Sequence, residues 1–524
     1  MITGYKNKSK VNKLSADFVN ELSRFYARFE TVDFSEENSS LSQFFEQELL
    51  KVPLSNVLDG TLYFSESKVR KVLNSVKINK ATGPDGVSNR TLKMCSQQLA
   101  PVLRQVFLMI FDSGLVPCIW KESSIFPVPK ITNAKDPNDF RPIALTSNIM
   151  KCFERLILTY LLEQTKEFMD PFQFAYRPNR SVEDAVLVYL HKIHEHLDKP
   201  KTYARSLFAD FSSAFNTIAP HLLARKLIGM NVDLRLIRCI HNFLIGRTQY
   251  VKASGHQSST VTTYRGAPQG CVLSPVLFSL YTSDCVSSTS CCSILKYADD
   301  TVIIALLSNR ANDYFSQVDE FTQWCDDHYL TLNTTKTKEM VIDFRRNGAD
   351  HENVIIHNQV IEQVDSYKYL GTVIDDKLSW RANVQSVYKK ANKRLFFLRK
   401  LKSFHIDATI LTLFYNSVIK SVLLFNIICS FGNLSKQDKK KLERPRKIAQ
   451  RIIGVDLASI ESHCTDQIVE KVRSIMKDAS HPLHSFYSFN RSGIRLRPAP
   501  TRLSRFRNSF VPDSIHQFNS QVQR

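Results

Sequence analysis

A pair of adjacent acids, Asp299 and Asp300, constrains the fold of this chain more than any other feature. Apolar, β-rich residues enclose the pair in the runs Ser293–Tyr297 and Thr301–Ala305, which predicts a tight hairpin with both carboxylates at its tip. Neighbouring carboxylates repel each other, so they are tolerated between apolar strands when a cation neutralises them. The motif alone leaves two interpretations open, a metal site and an ordinary pair of acids in a turn.

A third acid, Asp210, directly follows a short apolar strand predicted over Arg205–Ala209, and a helix is expected from about Pro220 to Ile240. Three carboxylates that converge from two strands can hold two Mg²⁺ ions about 3.5–4 Å apart, as in phosphoryl transfer. Hard oxygen ligands favour Mg²⁺ or Mn²⁺ over zinc. The three acids together therefore predict a two-metal site.

Other groups of possible ligands are less specific. The pair Asp326-Asp327 follows a predicted helix, and the pair Asp375-Asp376 follows a strand predicted from Tyr369 to Ile374, so both pairs are expected to be solvated. One further set lacks a recognised zinc-ligand spacing, and we interpret its members as surface and interface residues: His463, Cys464, His481 and His484.

The charge of the chain indicates a polyanionic partner. There are 70 Lys and Arg against 50 Asp and Glu, a formal net charge of +20, and such residues gain affinity by displacing counterions from phosphate backbones. An anionic membrane surface is the alternative. The longest apolar stretch, Leu411 to Phe431, is interrupted by Asn416, Lys420 and Asn426, so no membrane span is predicted. The first residues lack the apolar core of a secretory signal, and we expect an intracellular protein.

Three segments have an amphipathic or basic pattern. Residues 1 to about 59 are expected to form a polar helical arm that aligns four apolar side chains: Phe18, Leu22, Tyr26 and Phe29. A later helix has an apolar stripe formed by Val384, Val387, Ala391, Leu395 and Leu398. Its other face is basic, which fits either a helix along a duplex or a solvated surface, and carries Lys389, Lys390, Lys393, Arg394 and Arg399. The last seventy residues interleave arginines with aromatic residues, which suits either RNA contact or a flexible tail.

Three blocks occur in an order that resembles the reverse transcriptases of LINE-type, non-LTR retrotransposons, in the jockey-like group. They are Phe208-Ala-Asp-Phe-Ser-Ser-Ala-Phe215, Ala267-Pro-Gln-Gly-Cys-Val-Leu-Ser-Pro275 and Tyr297-Ala-Asp-Asp300. Supporting matches are Lys80-Ala-Thr-Gly-Pro-Asp-Gly86, Phe140-Arg-Pro-Ile143, Gln173-Phe-Ala-Tyr-Arg-Pro178, Asn333-Thr-Thr-Lys-Thr-Lys338 and Tyr369-Leu-Gly371. The complete ordered set is far more specific than any one motif.

The resemblance implies an α+β, right-hand polymerase fold with an antiparallel palm sheet and a helical thumb. The implied order is an N-terminal arm (1–59), fingers (60–200), a palm with the carboxylates (201–375), a thumb (376–455) and a basic C-terminal segment (456–524). The implied activity is RNA-directed DNA synthesis, in which two Mg²⁺ ions, with Mn²⁺ as a substitute, serve a DNA primer, an RNA template and dNTPs. Oligomeric state is left open, and no membrane is expected.

The resemblance also assigns roles to single residues. Asp210, Asp299 and Asp300 are implied to be the metal-binding and catalytic acids, with Lys336 as a further catalytic residue that protonates pyrophosphate. An exposed lysine at a helix end is the alternative for Lys336. The residues implied to bind the nucleotide are Lys130, Arg141, Phe211, Phe215, Gln269 and Gly270. The ring of Phe215 would exclude a ribose 2′-OH, with core packing as the alternative. The primer grip is implied to be Tyr369, Leu370 and Gly371, and the thumb contacts are implied to be Lys389, Lys390, Lys393 and Arg394.

Two other functions stay open at this level. A catalytically silent, nucleic-acid-binding relic would keep the fold without turnover, and a two-metal nuclease would use similar acids without a grip for a triphosphate. The residues before the predicted fingers are too few for an endonuclease, and those after the thumb are too few for an RNase H unit. We therefore expect a truncated copy of such an element.

Overall fold

The computed structural model of the protein describes residues 14–51, 63–308, 312–346, 351–491 and 493–521. The α-helices in chain order are α1 (Ala16–Tyr26), α2 (Ser35–Lys51), α3 (Glu66–Ser75), α4 (Asn89–Met94), α5 (Ser96–Ser113), α6 (Cys118–Lys121), α7 (Asn148–Gln164), α8 (Val182–Leu197), α9 (Pro220–Gly229), α10 (Leu234–Leu244), α11 (Ser274–Tyr281), α12 (Asn312–Asp327), α13 (Arg381–Ser403), α14 (Ala408–Phe414), α15 (Ser421–Leu423), α16 (Lys436–Ile453), α17 (Ile460–Met476), α18 (Ser504–Arg507) and α19 (Phe510–Gln521).

The strands in chain order are β1 (Glu122–Pro129), β2 (Phe140–Thr146), β3 (Tyr203–Ala209), β4 (Arg247–Ala253), β5 (His256–Gln257), β6 (Val261–Thr263), β7 (Cys292–Tyr297), β8 (Asp300–Leu307), β9 (Lys338–Asp343), β10 (Ile355–Ile356), β11 (Gln359–Val360), β12 (Glu362–Gln363), β13 (Ser366–Tyr369) and β14 (Thr372–Asp375). The mixture of helices and sheets is the α+β class that the sequence predicts.

The described residues divide into two compact units. Unit 1 contains residues up to Met169 together with Ser212–Asp284 and Cys325–Thr331, and unit 2 contains Asp170–Phe211, Cys285–Trp324 and the residues from Leu332 onward. The limits proposed for fingers, palm and thumb stay predictions.

The main sheet of unit 1 has the strand order β2-β1-β4-β5, with β6 also paired to β4. The prolines of β1 predict a strand at a sheet edge, but β1 pairs antiparallel with β2 and, over Glu122–Ile125, parallel with β4. The prolines are tolerated because they lie beyond the β4 pairing, where Pro127 faces only Pro142 of β2. The edge prediction therefore holds for the second half of β1 and is wrong for the first half.

Helix α1 packs against this sheet. Its buried side chains Val19, Leu22 and Tyr26 form one cluster with Ile125 and Phe140 of the sheet. Burying apolar side chains of this size contributes roughly 1.5–3 kcal/mol each. The helix begins at the cap residue Ser15 and ends at Tyr26, so the fourth apolar residue of the predicted face, Phe29, lies beyond the helix. The described part of the N-terminal arm is thus folded onto unit 1.

The helix expected from Pro220 to Ile240 is two helices, α9 and α10. The break follows Gly229, where Asn231 adopts a left-handed conformation with φ of 56°. Helix α10 then starts at Asp233, whose carboxylate accepts the backbone N–H of Arg235 at 2.8 Å. The sequence did not predict the break, because the apolar periodicity continues from one helix into the next and both helices bury an apolar face.

The main sheet of unit 2 has the order β12-β9-β3-β8-β7. Strand β3 lies in its centre, antiparallel to β8 and β9, and every residue of β3 is buried. A central strand covered on both faces is expected to be a continuous apolar run, which is the pattern of its sequence. Its one charged residue, Arg205, is paired with the buried Glu339 of β9 at 2.7 Å. This sheet carries all three acids of the predicted metal site.

Helix α13 of unit 2 follows the predicted stripe, since Val384, Ala391, Leu395 and Leu398 are buried. After α14 the chain continues as a π-helical turn, Tyr415–Lys420, and then as α15. The polar residues Asn416 and Lys420, which interrupt the apolar stretch, do not break the helical path of the backbone. By length and composition alone, Ala408–Cys429 could span a membrane, with 22 residues, a mean hydropathy of 1.6 and 28% of its most apolar window buried.

The C-terminal segment is folded, so the flexible-tail alternative is wrong for its described part. Helix α19 packs against α17 and α8, and the aromatic residues Tyr487, Phe506 and Phe510 are buried in the core of unit 2. The guanidinium of Arg505 lies 3.4 Å above the ring of Phe344. Most of the aromatic rings expected to stack on RNA are therefore used for packing, whereas most of the arginines remain exposed.

Candidate active site

Asp210 is the first residue after the buried strand β3, and its backbone is fixed on both sides. Its N–H donates to the hydroxyl of Thr337 at 3.3 Å, and its carbonyl accepts the N–H of Asn333 at 2.8 Å. Both partners belong to the turn that precedes β9. The end of β3 is thereby held in a defined direction, with the carboxylate of Asp210 partly exposed to solvent.

Asp299 and Asp300 lie at the tip of the predicted hairpin. Strands β7 and β8 pair up to Tyr297 and Asp300, so the turn consists of Ala298 and Asp299, with a φ of 57° at Ala298. The side-chain oxygen of Gln173, a buried residue, accepts the N–H of Ala298 at 3.0 Å. The hairpin prediction is confirmed, and Gln173 is a positioning residue that it missed.

The two strands bring the three acids to the same end of the sheet. In the β3–β8 pairing Ala209 lies opposite Thr301, so Asp210 and Asp300 are the next residues along each strand. The pKa of Asp300 is raised to about 6, first by desolvation and then by the charges of Asp299 and Asp210. Asp300 therefore lies in the electrostatic field of both other acids.

The donor set fits a hard divalent ion that brings further ligands with it. In the described ranges no group of three or more His, Cys, Asp or Glu side chains is placed to hold a metal ion by itself. Mg²⁺ is usually held by one or two carboxylates together with waters and substrate phosphates, so an open acidic site of this kind suits it. The repulsion that raises the pKa of Asp300 is the property that a bound cation would relieve.

Lys336 lies beside the acids. Its Nζ is 3.7 Å from Oδ2 of Asp210, and its side chain is 66% exposed. The residue is exposed, as the alternative expects, but it belongs to the Asn333–Lys336 turn and not to a helix end. An exposed ammonium group near an acid can move between that acid and a substrate.

Two tyrosines also face the acidic group and were missed by the sequence analysis. The pKa of Tyr176 is raised by desolvation and then by the charge of Asp299. The pKa of Tyr367 is raised by desolvation and then by Asp300 and Asp210, and its ring stacks on Phe208 at 4.0 Å. Tyr176 could have been found from the sequence, because it lies in one of the supporting motifs. The position of Tyr367 near the acids is visible only from the register of β13.

The nucleotide-binding candidates of unit 1 lie on two loops that are bonded to each other. Phe215 is half-buried on a short 3₁₀ turn, with its ring 5.0 Å from that of Phe278, and its carbonyl accepts the N–H of Ala267 at 2.7 Å. Gln269 accepts the N–H of Ala144 at 2.8 Å through its carbonyl. Gly270 has a φ of 135°, and a Cβ there would lie 2.6 Å from the carbonyl oxygen of Ala144. The backbone at Ala144 therefore passes so close to Gly270 that no side chain fits at this position.

The two cations and Phe211 occupy different settings. Lys130 directly follows β1 and donates through Nζ to the carbonyl of Asn138 at 2.5 Å, whereas Arg141 is an exposed residue of β2 opposite Val128. Phe211 belongs to unit 2, where its backbone bridges to Leu332 and its side chain is buried. The ring of Phe211 thus packs in the core of unit 2, which does not favour the nucleotide-binding role predicted for it.

The residues of the predicted primer grip form a hairpin turn. Tyr369 ends β13 and is buried beside Tyr189 and Phe208, and it is not part of one strand running to Ile374 as expected. Leu370 and Gly371 form the two-residue turn, with φ values of 44° and 87°, as tight hairpins require. Of the three residues of the predicted primer grip, only the two turn residues therefore reach the surface.

Helix α13 separates its predicted contacts into two groups. Lys389, Lys390 and Lys393 lie on the solvent-exposed face of the helix. Arg394 is half-buried and donates to the carbonyl of Val418. Its guanidinium is therefore partly engaged within unit 2.

Comparison with known proteins shows which families the chain is similar to. Residues 128–374 match the family model described as reverse transcriptase (RNA-dependent DNA polymerase). This range contains β3 and the β7–β8 hairpin, and with them Asp210, Asp299 and Asp300. Residues 128–374 are therefore similar to the reverse transcriptase family. A second, short match, to the N-terminal region of alkylated DNA repair protein alkB homolog 8, covers only residues 380–421 in the α13–α14 region.

The relatives of this domain are polymerases of mobile elements. The RNA-directed DNA polymerase from mobile element jockey of Drosophila melanogaster is 28% identical over 350 residues, which cover 63% of this chain and 37% of the relative. The jockey polymerase of Drosophila funebris is 28% identical, over 72% of this chain and 42% of the relative. A probable RNA-directed DNA polymerase from transposon BS of Drosophila melanogaster is 25% identical, over 66% and 40%. The resemblance to jockey-like, non-LTR elements is confirmed, and the chain spans about two fifths of these relatives.

Proposed function

We propose that the protein is an RNA-directed DNA polymerase that extends a DNA primer on an RNA template. The observation that carries this proposal is the position of Asp210, Asp299 and Asp300 at one end of the unit 2 sheet, with Asp300 in the field of the other two acids. The named activity of the jockey polymerases supports it. In the same proposal, residues 60–200, 201–375 and 376–455 act as fingers, palm and thumb.

The chemistry assigns each side chain one task. When bound, two Mg²⁺ ions make the primer 3′-OH a better nucleophile and neutralise the triphosphate. Asp210 and Asp299 would hold the ions directly, and Asp300 would be the weaker ligand. Lys336, next to Asp210, can donate a proton to the departing pyrophosphate.

The residues of unit 1 would bind the nucleotide in this proposal. Lys130 and Arg141 would contact the triphosphate, because ammonium and guanidinium groups form charge-assisted hydrogen bonds to phosphate oxygens. The ring of Phe215 would occupy the space of a ribose 2′-OH, and Gln269 with Gly270 would contact the nascent base pair. The turn Leu370–Gly371 would support the primer end, and the exposed lysines of α13 would contact the duplex.

The decisive experiment is extension of a DNA primer on an RNA template with Mg²⁺ and dNTPs. We expect Asp299→Asn to reduce extension by about 1,000-fold, because loss of one metal ligand removes several kcal/mol of transition-state stabilisation. Duplex affinity, measured by fluorescence anisotropy, should stay within about twofold, since the α13 lysines bind the duplex.

The matched control is Asp326→Asn, which removes an acid from the exposed pair at the end of α12 and should leave extension unchanged. Full extension by Asp299→Asn would contradict the metal assignment. A wild-type protein that binds the duplex but does not extend the primer would contradict the polymerase proposal and favour the silent relic.

A further inference from the structure

The segment that follows α1 reaches the turn that carries Phe215. The guanidinium of Arg28 lies 3.8 Å from the ring centroid of Phe25 and donates through Nη1 to the carbonyl of Phe25 at 2.6 Å. Its other nitrogen, Nη2, donates to the hydroxyl of Ser213 at 3.2 Å. Ser213 has a φ of 56° and immediately precedes the 3₁₀ turn Ala214–Asn216. Arg28 therefore joins the N-terminal arm to the Phe215 turn.

Two residues later, Glu30 bonds to the start of the loop that carries Gln269. Its carboxylate accepts the backbone N–H of Tyr264 at 3.0 Å and that of Arg265 at 3.3 Å. In return, the buried Arg265 donates to the carbonyl of Phe29 at 2.8 Å. From this point the chain runs through Gly266 to Gln269. Glu30 therefore joins the arm to the Gln269 loop.

The two loops are also bonded to each other, so the arm completes a closed set of contacts. The N–H of Gly266 donates to the carbonyl of Ile218 at 2.7 Å, and the N–H of Ala267 donates to that of Phe215 at 2.7 Å. Helix α1 is already attached to the sheet by its buried apolar face. The arm is thus anchored without the charge-assisted hydrogen bonds of Arg28 and Glu30. These bonds therefore act mainly on the conformation of the Phe215 turn and the Gln269 loop.

We propose that Arg28 and Glu30 are positioning residues of the nucleotide pocket, through which the N-terminal arm controls binding and sugar selection of the incoming nucleotide. This inference rests on the proposed polymerase function. Arg28 fixes the backbone before Phe215, and Glu30 fixes the strand-to-loop junction before Gln269. When either set of hydrogen bonds is removed, the ring of Phe215 can move away from the position that excludes a 2′-OH.

The test compares the full chain with Arg28→Ala, Ser213→Ala and Glu30→Gln in single-nucleotide primer extension. We expect KM for dNTP to rise about tenfold in each variant, as for loss of one hydrogen bond to a charged group, with kcat changed less than about twofold. The preference for dNTP over rNTP should fall in the same variants, in the direction of Phe215→Val. Because Arg28 and Ser213 share one bond, the double variant should be no worse than either single variant.

The control is Arg24→Ala, which removes the same charge from an exposed position on α1 and should leave KM and sugar preference unchanged. If Arg28→Ala lowers the melting temperature, the result for Ser213→Ala is used to test the inference, because that variant lacks only one hydroxyl group. If the wild type extends primers and the three variants behave like Arg24→Ala, the inference is wrong while the proposed function stands. If the wild type does not extend primers, the proposed function fails and the inference fails with it.

Discussion

Glu154 is a carboxylate enclosed by protein in the apolar helix α7. Its Oε2 accepts the backbone N–H groups of Val272 at 2.6 Å and Leu273 at 2.9 Å, directly after the loop of Gln269 and Gly270. Complete burial raises the pKa of Glu154 to about 7, against the lowering effect of those two hydrogen bonds and of the nearby cations Lys151 and Arg155. The Gln269 loop is thus supported by an acid that ionises near neutral pH.

Replacing this acid by its amide should change how stability depends on pH. The folded-state pKa of Glu154 is above the ordinary value for a glutamate, so folding disfavours its ionised form and stability is lost as pH rises from about 4.5 to 7. Glu154→Gln removes this loss. We expect the stability of the wild type relative to the variant to fall by up to about 3 kcal/mol between pH 5 and pH 8. Thermal melting at several pH values measures it, and a flat difference over this range would contradict it.

The residues of the acidic site differ in how far the sequence could predict them. Asp210, Asp299 and Asp300 were predictable, because each follows or interrupts an apolar run where an unpaired charge is costly. Glu154 also had a signal, since it lies among the apolar residues of α7. For Gln173 the motif was the only signal in the sequence, because the sequence does not tell which loop lies beside the hairpin.

Helix α13 has one apolar, buried face and one basic, exposed face. Its apolar stripe packs into unit 2, and Lys389, Lys390 and Lys393 lie on the exposed face. Arg394 follows Ala391 by three residues and precedes Leu398 by four, so it borders the buried stripe and bonds to Val418 instead. The helical period therefore distinguishes the candidate duplex contacts from the structural arginine.

Neutralising these lysines should weaken duplex binding in a salt-dependent way. Removing one phosphate contact reduces the slope of log K against log salt by about 0.9 for B-form DNA, so Lys389→Gln, Lys390→Gln and Lys393→Gln together should reduce it by about 2–3. Binding titrations between about 50 and 200 mM salt measure the slope. A control triple variant of Lys436, Lys440 and Lys447 on α16 separates this face from a general loss of charge. An equal slope change in both triple variants would contradict a specific duplex face.

At the same scale, a break between two elements was predictable only where a turn residue marks it. The β7–β8 hairpin has a turn residue pair that only one register can accommodate, whereas apolar periodicity continues across the break between α9 and α10. In the same way, the sequence predicts one strand in place of β13 and β14, because their turn is formed by Leu370 and Gly371, of which only the glycine indicates a turn.

At the scale of the whole molecule, the C-terminal segment is part of the core of unit 2. Asp184 of α8 is buried and accepts hydrogen bonds from Ser181, from Lys471 at 3.0 Å and from His481 at 3.2 Å. Burial alone would raise the pKa of Asp184, but the bond from His481, the charge of Lys471 and the hydroxyl of Ser181 outweigh it and lower the pKa. The sequence analysis interprets His481 as a surface or interface residue, whereas the structure buries it beside this acid.

Asp184→Asn should therefore destabilise the protein in a pH-dependent way. A depressed folded-state pKa contributes stability that is present above the unfolded pKa of about 4 and is lost as pH falls toward the folded value. The groups that face the carboxylate are Ser181, Glu183, Lys471 and His481. We expect a loss of about 2–4 kcal/mol at pH 7, which becomes smaller below pH 4. Chemical unfolding at pH 7 and pH 3 measures it, and an equal loss at both values would contradict it.

Helix α8 packs against the C-terminal helices α18 and α19. It also packs against β3, the strand that Asp210 directly follows. A nonsense codon near position 456 would thus keep the codons of every proposed catalytic residue and still remove the C-terminal helices that pack against α8. Whether a gene copy of this kind encodes a working enzyme should be judged from its 3′ end as much as from its motifs.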